Sequence, residues 1–263
     1  ACGTEGVYIL GVRQGLTPTR LAQITTAPNA ASIVAIASNL LAIGLGSTGT
    51  MIVDISTPDT PQFLRLIKLG SSVRSLAAAE GIVHIGLEDG RVAQVDMITG
   101  RLIGSVNVSS APHDLAVGKG VIYAVMPGSL KTLPVTATGY GSIGSTGFSG
   151  AVPNTTNRHR LFKGSNRLYA SHRSGFGAYN ISTPGAPVLM QDNSTAALGW
   201  SQLVGTGSNL AIACLGANNP DDVSLYDLGA DGAQANFLTT FATPGAAQAA
   251  TIYNGLAYVA DGS

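Results

Sequence analysis

Charge is scarce in this chain. Asp, Glu, Lys and Arg together make up 11% of its 263 residues, and 14 basic side chains balance 14 acidic ones. Zero net charge, with no nucleic-acid-binding motif, argues against a nucleic-acid partner. Low charge beside 45% hydrophobic residues also argues against disorder. Only two cysteines occur, Cys2 and Cys214, so one disulfide is available and a thiolate zinc cluster is excluded. No apolar run approaches the ~20 residues of a membrane span. The opening ACGTEGVYIL lacks the basic start and cleavage site of a signal peptide, so a mature product or a segment of a larger protein is expected. Four lysines among abundant Ser, Thr, Asn and Gly suit a secreted or cell-surface protein.

Glycine, at 34 residues, and proline, at 12, punctuate short apolar runs. Residues 31–69 form the pattern unit. Ile33 to Ala37 turns at Ser38-Asn39 into Leu40 to Leu45, and a glycine-rich loop precedes Met51 to Ile55. The segment STPDTP then leads to Phe63 to Leu69. Runs of this length, rich in Val, Ile and Leu and bounded by turn formers, predict four strands.

The first turn recurs in SNLLAIG, EGIVHIG, KGVIYAV, SNRLYAS, SNLAIAC and NGLAYVA, at spacings of 42, 39, 46, 43 and 46. A period near 43 in strand-only units points to propeller blades, since one unit cannot bury its own faces. Third strands follow in step: GVYILGV, TMIVDIS, RVAQVDM, LKTLPVT, GAYNIS and VSLYDLG. In the fourth unit, Gly139 to Asn157 offers a Gly/Ser/Thr-rich stretch instead of a clean fourth strand. Joining the ends gives LAYVADGS-ACGTEGVYILGV, one complete unit. The expected fold is therefore all-β: a single six-bladed β-propeller over residues 1–263, closed by N- and C-terminal strands in one blade.

MIVDISTPDTP, AYNISTPGAP and LAYVADG resemble the LVIVD-type repeat of bacterial and archaeal surface and secreted propellers, and VDMITGRLIGSV resembles the related YVTN type. The resemblance implies a propeller in an exported setting and brings no defined catalytic residues. One Trp without a WD dipeptide sets the chain apart from WD40 repeats, and the lack of an Asp-box from sialidases.

Asp54, Asp96, Asn180 and Asp227 share one position before a turn, where their side chains are expected to accept backbone N–H bonds. His84 shares a column with Tyr123, Tyr169 and Tyr258, which predicts core packing. A further column lies seven residues before each aligned Asn or Gly: Ser32, Arg74, His113, His159, Gln202 and Gln248. Two residues on, Val34, Leu76, Leu115, Leu161, Val204 and Ala250 are all apolar, so the strand is expected to leave the core between the columns. The polar column should line the channel mouth. It is either a solvated rim or a ligand-contacting ring.

Charge is also uneven along the chain. No Asp or Glu occurs between Leu115 and Gln191, and no Lys or Arg after Asp192. Arg158, His159, Arg160, His172 and Arg173 concentrate basic groups, which are either a solvated face or a trap for a carboxylate- or sulfate-bearing ligand. Trp200 could stack a sugar beside them or sit in the core. A metal site at His113, His159 and His172 has no spacing signature behind it. Asn218, Asn219, Asp221 and Asp222 carry oxygens suited to calcium without matching an EF-hand; otherwise no cofactor is expected. Cys2 and Cys214 could bridge neighbouring blades.

A noncatalytic extracellular binding or interaction module is the leading expectation. Its partners would be other domains of the same larger protein, and an acidic glycan or surface protein. The rivals are a uronate lyase or hydrolase using the His/Arg mouth, and a structural spacer.

Overall fold

The computed structural model describes residues 3–12, 17–153, 158–207, 209–215 and 223–262. These residues form seven antiparallel sheets, and their one helical turn is the 3₁₀ segment Gly46–Thr48. The chain divides into two compact units, Ala1–Val117 with Val135–Gly141, and Gly118–Pro134 with Ser142–Ser263.

In the first unit, β1 (Val7–Gly11) and β2 (Thr19–Ile24) make a two-stranded sheet. Strands β3 (Ile33–Ala37), β4 (Leu40–Gly44), β5 (Thr50–Asp54) and β6 (Gln62–Ile67) pair in chain order, within a residue or two of the sequence expectation. The same order holds for β7 (Val73–Ala79), β8 (Ile82–Leu87), β9 (Arg91–Asp96) and β10 (Leu102–Asn107). Next comes β11 (Asp114–Gly118).

β12 (Val121–Met126) of the second unit pairs with β13 (Ser129–Thr136), whose last two residues, counted with the first unit, turn back on β14 (Gly139–Tyr140). The fourth unit has a fourth strand after all. β15 (Gly144–Gly147) pairs with β13 from Ser129 to Thr132. Backbone pairing needs no apolar side chain, and outside bonds hold this strand, Tyr179 Oη donating to Gly147 O and Thr146 Oγ1 to Pro187 O. Two four-stranded sheets follow. One is β16 (Leu161–Lys163), β17 (Arg167–His172), β18 (Gly175–Asn180) and β19 (Val188–Ser194). The other is β20 (Gln202–Gly205), β21 (Leu210–Cys214), β22 (Val223–Asp227) and β23 (Asn236–Phe241). A two-stranded sheet, β24 (Ala246–Tyr253) and β25 (Leu256–Gly262), ends the described chain.

Turn chemistry explains the hairpins. Glu80-Gly81, Lys119-Gly120 and Asn254-Gly255 each put two successive residues at φ between 49° and 77°. That is the type I′ turn, whose twist matches the flanking strands. The aligned Asp column behaves as its residue type requires: Asp54, Asp96, Asn180 and Asp227 accept the backbone N–H of Ser56, Thr99, Ser182 and Gly229 at 2.8–2.9 Å.

The outer strand pair of each four-stranded sheet carries a feature with no sequence signal. A one-residue register shift falls just before the Asp column, at Ile52/Val53, opposite Gln94/Val95, at Ala178/Tyr179 and at Leu225/Tyr226. A bulge there twists the exposed edge and discourages pairing with another chain.

Burial follows the apolar column in four of its six members, and Leu161 is half-buried. Leu76, Leu115, Val204 and Ala250 are buried, but Val34 is 36% exposed and Ile36 56%. Residues of β25 are likewise mostly exposed, whereas β8, β12 and β17, which hold the same place in their repeats, are buried.

Candidate functional site

The basic segment folds as the β16–β17 hairpin, with Leu161 opposite Ala170 and Lys163 opposite Leu168. This register separates it into two groups. Lys163 and Arg167 lie at the turn end, where Lys163 Nζ donates to Gly164 O and Arg167 Nε to Asp231 O at 2.8 Å. At the open end, Ser171 N donates to Arg160 O and Arg160 N to Ser171 Oγ, at 2.9 and 3.1 Å. Arg173 N donates to Ala151 O, and the side chain of Arg173 is exposed. Arg158, His159, Arg160, His172 and Arg173 are thus brought together, with Arg158 and Arg160 half-buried.

The two histidines lie beneath this surface. His159 is 0% exposed and His172 2%. Both pack on Phe148, at ring-centroid distances of 4.6 and 6.1 Å. His159 Nδ1 is 3.0 Å from Ser171 O, and a carbonyl can only accept, so Nδ1 carries the proton. His172 Nε2 is 3.1 Å from Asp192 Oδ1, and Ser149 Oγ donates to Asp192 Oδ2 at 2.7 Å. Burial lowers the His172 pKa, and the Asp192 carboxylate opposes that shift. In the neutral ring Nε2–H donates to Asp192 and Nδ1 accepts from Ser174 Oγ at 3.4 Å. Ser174, His172 and Asp192 form one hydrogen-bonded chain, closed at its far end by Ser149.

Sequence reasoning missed Ser149, Ser174 and Asp192. It separated a basic stretch from an acidic one, and folding joins them at this pair. The only signal was that Asp192 is the first acid after the basic run.

The polar column is divided between the units. In the first, Ser32 is exposed, Arg74 Nη1 lies 3.8 Å from Glu88 Oε2, and His113 is buried. In the second, beside His159, Gln202 Oε1 accepts from Ala250 N at 2.9 Å and Gln248 is exposed. Gln202 thereby ties β20 to β24. Trp200 is wholly buried, its Nε1 donating to Thr195 Oγ1 and Ala197 O, which removes it as a stacking surface. His84 is core as expected: it is 2% exposed, Nδ1 is 2.8 Å from Tyr140 Oη, and burial lowers its pKa to about 4.

Cys214 is buried, which pushes its thiol up to about 12, while Cys2 lies outside the described residues. So do Asn218, Asn219, Asp221 and Asp222, the calcium candidates. Among the described residues no group of three or more His, Cys, Asp or Glu could hold a metal, and no helix is long and apolar enough to cross a membrane.

Repeated antiparallel four-stranded sheets paired in chain order define a β-propeller-type fold, and known structures agree. The chain is similar to a protein from Lactobacillus plantarum (TM-score 0.72, 13% identity, covering 90% of this chain and 78% of that one). It is also similar to the WD40 repeats of RRP9 (TM-score 0.64, 14% identity, 88% and 73%). BamB from Moraxella catarrhalis is a further match (TM-score 0.60, 16% identity, 99% and 87%). No family model and no curated protein matches the chain, so the LVIVD-type resemblance rests on its motifs alone.

Proposed function

We propose that this chain is a noncatalytic binding or interaction propeller of an exported protein, engaging an acidic glycan or an acidic protein surface. The observation that carries this reading is the cluster at the open end of the β16–β17 hairpin. There backbone bonds fix the bases of Arg160 and Arg173, beside Arg158 and two buried histidines. Guanidinium groups held this way suit carboxylate or sulfate, which they bind bidentately.

The reading includes six blades, with β24–β25 and β1–β2 completing one another. It is supported by the exposure of β25, whose counterparts β8, β12 and β17 are buried within complete sheets.

The test is an array of acidic and neutral glycans and acidic peptides, probed at low and high salt. Salt-sensitive binding of an acidic probe, lost in the Arg158→Ala/Arg160→Ala double variant, is expected. No acidic binder, or one indifferent to the double variant, would leave the chain a structural spacer.

A further inference from the structure

A second cavity lies on the last four-stranded sheet and the segment that follows β19. It measures about 580 Å³ and is lined by Ser194, Thr195, Ser224, Tyr226, Phe237 and Thr240, together with three alanines. No charged side chain lines it. Its volume falls within the range of about 300–1,000 Å³ usual for small-ligand sites.

The local fold explains why these side chains converge. Ser224 and Tyr226 are two apart on β22 and so share one face. Their partners on β23 are Thr240 and Phe237, three apart, which in a regular strand would face opposite ways. The register shift between Leu225 and Tyr226 adds one residue to β23 and returns Phe237 to the face of Thr240.

The composition of this face departs from that of the first four-stranded sheet. In β5–β6 the same four positions hold Met51, Val53, Phe63 and Leu66. Here two aliphatic side chains have become Ser224 and Thr240, and the aromatic remains.

That aromatic ends a chain of contacting rings. Phe176 lies 5.5 Å from Trp200, Trp200 4.9 Å from Tyr226, and Tyr226 5.8 Å from Phe237. The first three are buried and Phe237 is 58% exposed, so the stack presents one ring to the cavity from a rigid base. Burial raises the Tyr226 pKa, and the neighbouring Thr195 and Ser224 hydroxyls oppose that shift. The Ser194 hydroxyl is 3.4 Å from that of Ser174.

We infer that this cavity binds a neutral saccharide. Hydroxyls both donate and accept, which matches sugar hydroxyls that do the same. The exposed face of Phe237 suits the apolar C–H face of a pyranose. With no cation or carboxylate in the lining, nothing there favours an ionised ligand. This inference is independent of the acidic-partner reading, because the two sites take probes of different charge.

The test is saturation-transfer NMR on the full chain, with neutral disaccharides of glucose, galactose and mannose as probes. Saturable binding of at least one probe is expected, unchanged between low and high salt. Phe237→Ala should weaken it about tenfold, and Phe237→Trp should retain it. Thermal unfolding of each variant checks that the fold persists. No saturable binding by any of these sugars, or binding undiminished in folded Phe237→Ala, overturns the inference. Neither result bears on acidic ligands.

Discussion

His172 and Asp192, 20 residues apart, meet at 3.1 Å and tie the end of β17 to the end of β19. The pair joins the most basic stretch of the chain to the first acid beyond it. A buried imidazole held by a carboxylate keeps one tautomer, and its ring supports the strand end that carries Arg173.

This pair sets a titration. Burial is the larger influence on His172, so protonation opposes folding, and stability falls as pH drops below the unfolded value of 6.5. Asp192 opposes the shift. Asp192→Asn should therefore move the His172 titration, followed by NMR of its ring protons, to still lower pH. Because Asp192 is partly exposed, the expected stability change is only about 1 kcal/mol.

His84 gives a larger pH dependence. Its pKa of about 4 in the folded chain, against 6.5 unfolded, means the unfolded state binds more protons between those values. Stability should rise with pH across that window, by on the order of 3 kcal/mol. Melting temperatures measured from pH 4 to 7 check this. In His84→Leu the slope should flatten, and the Tyr140 hydroxyl should be left buried without its partner.

The turn role of the Asp/Asn column predicts a local effect. Asn180→Ala removes the 2.9 Å bond from Ser182 N and should cost about 1 kcal/mol in chemical denaturation. Binding of an acidic probe should not change, since Asn180 sits at the opposite end of β18 from His172's partner Gly175.

Blade completion predicts protection at the end of the chain. If β25 gains a partner strand, its amides should exchange slowly, like those of β8 and β12. Deleting residues 254–263 should then lower the melting temperature sharply. Rapid exchange in β25, or unchanged unfolding of the truncation, would count against six closed blades.

Strand positions, the period near 43 and the Asp-column turns were legible in the sequence, because each rests on chemistry within a few residues. Asn-Gly and Glu-Gly doublets adopt positive φ whatever surrounds them, and Asp227 reaches Gly229 two residues on. A column of Tyr with one His identified His84 as core for the same reason: period two assigns faces without knowledge of neighbours. The fourth strand Gly144–Gly147 was invisible, since pairing with β13 uses backbone groups that every sequence supplies. Burial of His159 and His172 depended on Phe148, more than ten residues from the nearer of them. The meeting of His172 with Asp192 needed the β17–β18–β19 register. The shared face of Phe237 and Thr240 needed a bulge that no residue type announces. Side-chain partners across strands follow from register, and register is decided by how whole strands pack.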